Sequence, residues 1–163
     1  GGDELKVGLV WAGNPQHAND HNRSFRPLAY KPLWSVPGVR FFSLQKQHRE
    51  GDAADLAQLG ELVDLAPELG DFADTAAALS ALDLLISADT SVVHLAGGLG
   101  RPVWTMVPFS PDWRWLLRRE DSPWYPTMRL FRQPRRREWR SVMTRVAAEL
   151  ARLRHGDAPG PEG

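Results

Sequence analysis

Short apolar runs recur along this chain at residues 5–11, 39–44, 62–65, 83–87, 102–107 and 128–131, and helix-forming stretches separate most of them. The helical stretches fall at 28–34, 52–59, 75–82, 92–99 and 138–154. The last is the clearest, because Trp139, Val142, Met143, Val146, Leu150 and Leu153 keep the stripe of an amphipathic helix. Asp74 is the expected N-cap of the 75–82 helix, and Leu56 and Leu59 are the expected apolar face of the 52–59 helix. Strand and helix alternate from end to end without an internal repeat. That alternation predicts an α/β chain with a doubly wound parallel sheet of six strands, Rossmann-like and covered on both faces. Residues 1–154 are expected to form this domain, and the Gly- and Pro-rich residues 155–163 a disordered tail.

The chain has 163 residues and no cysteine, which excludes disulfide scaffolds, thiol nucleophiles and thiolate metal sites. No apolar run approaches the ~18 residues of a membrane-spanning helix. A basic region followed by an apolar core at the N-terminus is also missing, so a cytoplasmic location is expected. Net charge is zero but unevenly spread: residues 1–100 hold an acidic excess, and all the basic residues of 101–163 are arginine. Arg135-Arg136-Arg137 reads as solvated surface, since no aromatic array is interleaved with it for stacking on bases, and nucleic acid is not an expected partner. Sequences of the Walker A, G-x-G-x-x-G and G-x-S-x-G kinds do not occur.

Doubly wound sheets bind ligands at the carboxyl ends of their strands, near the switch in strand order. The turns after the first and fourth strands are therefore the places to look. After the fourth comes Ala88-Asp89-Thr90-Ser91-Val92-Val93-His94. Asp89 reads as a helix cap, and the free N–H groups of that helix's first turn favour phosphate. Thr90 and Ser91 add hydroxyls, and His94 lies one turn in. Asp89 alone would be an ordinary cap; the combination is what points to an anion site. After the first strand, Gly13 permits close approach of a ligand to backbone, and Asn14, Arg23 and Ser24 supply donors. His17 and His21 have metal-ligand spacing on a helix, but Asn19, Asp20 and Asn22 disfavour a helix there, and no metal is expected.

Asp89 to Val103 resembles the D-T-G-x-x-H-x-A-A-x-x-G-x-P motif of the heptosyltransferases, glycosyltransferase family 9. The resemblance spans roughly residues 6–133. It is closer to glycosyltransferase domains that follow tetratricopeptide repeats in bacterial proteins, on Phe72-Ala73-Asp74-Thr75, Asp112-Trp113-Arg114-Trp115 and Ser122-Pro123-Trp124-Tyr125-Pro126. Ser91 stands where the family has glycine, and Gly97-Gly98 brings glycine to an alanine-rich part of the motif.

The resemblance implies the C-terminal, donor-binding half of a GT-B fold. It implies an inverting, metal-independent glycosyltransferase that takes a nucleoside-diphosphate sugar as substrate and needs no cofactor. Asp89 would hold sugar hydroxyls, Thr90 and Ser91 the diphosphate, and His94 would support the phosphates. Asn14 and Arg23 would close over the diphosphate, and Gln45 or Lys46 would lie near the nucleoside. The catalytic base would belong to an N-terminal GT-B half, a partner together with the tetratricopeptide repeats. The chain by itself would then turn over poorly or not at all. The competing readings are a non-catalytic nucleotide-binding or scaffold module attached to a repeat array, and a sugar-nucleotide hydrolase or epimerase. Base, sugar, acceptor and oligomeric state stay open.

Overall fold

The computed structural model describes residues 4–12, 25–45, 51–88, 91–107, 128–133 and 138–155. Strands β1 (Leu5–Val10), β2 (Val39–Ser43), β3 (Val63–Asp64), β4 (Leu84–Ala88), β5 (Val103–Val107) and β6 (Met128–Arg132) form one sheet in the order β3-β2-β1-β4-β5-β6. Every pairing is parallel. The helices are α1 (Asp52–Ala57), α2 (Phe72–Ala81), α3 (Ser91–Gly98) and α4 (Arg140–His155), with 3-10 segments η1 (Pro27–Ser35) and η2 (Ala66–Glu68). The predicted fold class is thus the observed one.

A parallel sheet must be covered on both faces, so its central strands are apolar on both sides. In β4 all of Leu84 to Ala88 is buried. One face carries Val7, Leu9, Leu84, Ile86, Trp104, Met106 and Phe131, packed against η1 and against Val142, Met143, Val146 and Leu150 of α4. The other carries Val10, Leu44, Leu85, Val103, Met128 and Leu130, packed against Leu79 of α2 and Val93 and Ala96 of α3. Gly8 lies under this second layer: a Cβ there would stand 2.6 Å from Leu82 Cδ1 and 2.9 Å from Leu44 Cδ1.

Local chemistry accounts for the departures from expectation. The 28–34 helix is a 3-10 segment, with Pro27 in its first turn and Pro32 inside it; a proline has no N–H to give and crowds the preceding turn. Helix α2 begins three residues early. Asp71 is its N-cap and Asp74 the third residue of a capping box, each side chain accepting from the other's backbone N–H. Helix α1 ends at Ala57, and its buried residues are the carboxylates Asp52 and Asp55, with Leu56 and Leu59 only half-buried. In α4 the stripe is buried as far as Leu150, but Leu153 is exposed. His155 closes α4, and the rest of the expected tail lies outside the described residues. No described helix is long and apolar enough to cross a membrane.

Candidate functional site

Strand order reverses between β1 and β4, so the crevice rule places a ligand at their carboxyl ends. Leu9 pairs with Ile86 and Val10 with Ser87, which brings the ends of the two strands level. Residues 13–24 leave one strand end and residues 89–90 the other. Gly13, Asn14, Arg23, Ser24, Asp89 and Thr90, with His17 and His21, lie outside the described residues.

What flanks those residues is well defined. Two residues separate Ala88 at the end of β4 from Ser91 at the start of α3. The amino end of α3 therefore stands at the carboxyl edge of the sheet, where the first-turn N–H groups and the positive end of the helix dipole favour an anion. Val93 and Ala96 are fully buried and fix the helix to the sheet. His94 sits in the first turn, half-buried.

The end of β1 is held by side chains. Gln45 Oε1 accepts from the backbone N–H of Trp11 and of Ala12, both at 3.1 Å, and Gln45 Nε2 donates to Ala12 O at 3.1 Å. The resemblance puts Gln45 or Lys46 near a nucleoside; the Gln45 amide bonds the main chain just after β1, and Lys46 lies outside the described residues. The Trp11 indole N–H donates to Asp52 Oδ2 at 3.1 Å. Across the neck of the 13–24 segment, the Phe25 N–H donates to Trp11 O at 3.0 Å.

The far side of the neck is tied to the same helix. Arg26 donates through Nε and Nη2 to the two oxygens of Asp55, at 2.9 and 2.6 Å, and the Leu28 N–H reaches Asp55 Oδ2 at 3.4 Å. Asp52 and Asp55 are three residues apart, hence on one face of α1. One holds the entry to the segment and the other its exit. Sequence reasoning did not single out these carboxylates; an i, i+3 acidic pair directly after a glycine was the available signal.

Tyr30 completes the edge from below. Its hydroxyl donates to Val10 O at 2.7 Å, with Ile86 O at 3.3 Å, so it sits under both strand ends. Burial pushes its pKa well above the ordinary phenol value, and the ring stays a neutral donor. Phe25 packs edge-on against it, 5.1 Å between centroids. Beneath α3 are two further buried hydroxyls, Ser87 and Thr105, which are paired in register. Ser87 donates to Ala88 O at 2.7 Å, whereas Thr105 Oγ1 has no hydrogen-bond partner among the described residues. Among the described residues no group of three metal-ligating side chains occurs.

The chain is similar to known proteins in sequence and in fold. Residues 24–115 match the sequence profile of Glycosyltransferase family 9 (heptosyltransferase). The chain is 34% identical over 153 residues to Protein FlbA of Caulobacter vibrioides, covering 89% of this chain and 25% of that protein. It is similar in fold to E. coli ADP-heptose lps heptosyltransferase II, with a TM-score of 0.61 at 16% identity, over 96% of this chain and 48% of that one. The chain thus spans a quarter of the one relative and about half of the other. The profile covers more than half of the chain, including β4 and α3, and the chain belongs to glycosyltransferase family 9, the heptosyltransferase family.

Proposed function

We propose that this chain is the donor-binding half of an inverting, metal-independent glycosyltransferase, and that it takes a nucleoside-diphosphate sugar at the carboxyl edge of β1 and β4. The observation that carries this reading is the two-residue passage from buried β4 into α3, within Asp89-Thr90-Ser91-Val92-Val93-His94, at the switch in strand order. Membership of the family supports sugar transfer as the chemistry.

The roles follow from the groups available. Amide N–H groups at the start of α3, with the hydroxyls of Thr90 and Ser91, take diphosphate oxygens. Asp89 accepts hydrogen bonds from sugar hydroxyls. His94, with Asn14 and Arg23 from the first segment, faces the charge that builds on the departing nucleoside diphosphate. On this reading, protein donors do the work that a divalent cation does elsewhere. Gly13 and Ser24 lie at the two ends of the segment that closes over the donor. The base that activates the acceptor belongs to an N-terminal half, and tetratricopeptide repeats are the proposed further partner, in the bacterial cytoplasm.

The test is an amide NMR titration of the chain with ADP, UDP, GDP and their common sugar conjugates, with Asp89→Ala and His94→Ala in parallel. Saturable shifts at residues 11–12, 25 and 91–94, weakened in both variants, are expected, and they name the base. Binding that both variants leave unchanged overturns the site. If a full-length protein binds the donor at this edge but transfers no sugar to any acceptor, the chain is a nucleotide-binding module rather than half of an enzyme. Release of free sugar or of an epimer without acceptor makes it a hydrolase or epimerase.

A further inference from the structure

The face of the sheet covered by α2 holds a cavity that the proposed donor site does not use. It has a volume of about 550 Å³ and lies on the face that carries α2, running along β1 and β2 from Lys6 and Arg40 to Phe42 and on to Leu65 just after β3. Phe42 lies on the sheet side, and Ala77, Ala78 and Ala81 of α2 form an apolar wall. Three alanines in one helix leave open the space that larger side chains would fill. Lys6 and Arg40 also line it. They are register partners across β1 and β2, so they stand side by side on one face. Like charges at paired positions repel and destabilise a sheet unless an anion answers them.

Among the described residues neither cation is in an ion pair. The Arg40 guanidinium lies over the Phe42 ring, 5.7 Å from its centroid. Of the two carboxylates lining the cavity, Asp74 is engaged at the start of α2, accepting from the N–H of Gly70 at 2.9 Å and of Asp71 at 3.3 Å. Lys6 is four residues from Val10, about 13 Å along the strand, so the paired cations stand away from the donor edge. The volume lies in the range of small-molecule sites, roughly 300–1,000 Å³.

We propose that this cavity binds a small amphipathic anion. Its carboxylate, phosphate or sulfonate head lies between Lys6 and Arg40, and its apolar body lies on Phe42 and the alanine wall of α2. The site is independent of the sugar-transfer reading.

The probe is 8-anilinonaphthalene-1-sulfonate, followed by fluorescence and by amide shifts, with uncharged N-phenyl-1-naphthylamine as its neutral counterpart. Lys6→Gln/Arg40→Gln is the variant; both side chains are exposed, so the fold is retained and circular dichroism checks it. Saturable one-site binding is expected, with shifts at residues 6, 40, 42, 77 and 78. The double variant should bind the sulfonate about tenfold more weakly and the neutral probe unchanged. Equal loss for both probes, no loss for either, shifts confined to the carboxyl edge, or no binding at millimolar probe each overturns the proposal.

Discussion

Replacing Gln45 by Leu tests whether one amide organises the end of β1. The side chain is 4% exposed, and the residues that it bonds, Trp11 and Ala12, are 1% and 3% exposed. Leucine has similar bulk but removes one acceptor shared by two N–H groups and one donor to Ala12 O. A buried polar group left without a partner costs about 1–3 kcal/mol. Two donors and one carbonyl, which keeps a second lone pair, come to roughly 4 kcal/mol, and the added apolar burial of leucine returns about 1 kcal/mol. The net expectation is about 3 kcal/mol, large for a single substitution. Urea unfolding, followed by tryptophan fluorescence and circular dichroism, reads this directly. The midpoint should fall by more than about 1 M with the slope unchanged. A loss below about 1 kcal/mol would show that water or a shift of the main chain satisfies the two amides, and the claim that Gln45 fixes this edge would fail.

Two further outcomes follow from buried hydroxyls. Tyr30→Phe removes the bond to Val10 O and should cost about 1 kcal/mol near neutral pH. Because burial raises the folded-state pKa of Tyr30, its contribution is complete below the unfolded value near 10 and is lost as pH rises above it, at up to ~1.4 kcal/mol per pH unit. The parent should therefore lose stability above pH 10 more steeply than Tyr30→Phe, and parallel slopes in alkaline urea titrations would count against the burial argument. Thr105→Val exchanges an unpartnered buried hydroxyl for a methyl group and should raise stability by about 1 kcal/mol; a loss in the same assay would mean that the hydroxyl has a partner in solution.

Alternation of apolar runs with helical stretches predicted the parallel sheet, because a strand buried on both faces must read as an unbroken apolar run, and Leu84-Leu85-Ile86 does. The fold was therefore legible. Helix starts were less so. Asp71 and Asp74 are both good caps by composition, and only the reciprocal bond of the capping box makes Asp71 the first. The candidate site was legible as a motif but not as an architecture. Asp89, Thr90, Ser91 and His94 are local in sequence, so spacing brings them to attention. The groups that hold the edge are far apart in the chain: Trp11 with Gln45 and Asp52, Arg26 with Asp55, Tyr30 with Val10. Periodicity points to apolar faces, and here the buried face of a short helix is acidic. A pattern of hydrophobic spacing has no means of finding it.

That acidic face bears on how such a site is built. Buried carboxylates are costly unless each finds donors. Asp55 accepts three hydrogen bonds from two residues, and its partner Arg26 is 69% exposed on its side chain while Asp55 is 3% exposed. The exposed arginine keeps most of its hydration, so the pair does not desolvate two charges fully. The carboxylate gains a bidentate partner at little cost. The geometric consequence is that both ends of the 13–24 segment are referred to one rigid helix turn and, through Phe25 and Trp11, to each other. Groups held in place before a ligand arrives reduce the ordering cost of binding. On the proposed function, the Asp52–Asp55 turn would contribute to donor affinity without touching the donor. Its effect would appear as a change in binding constant at an unchanged base preference.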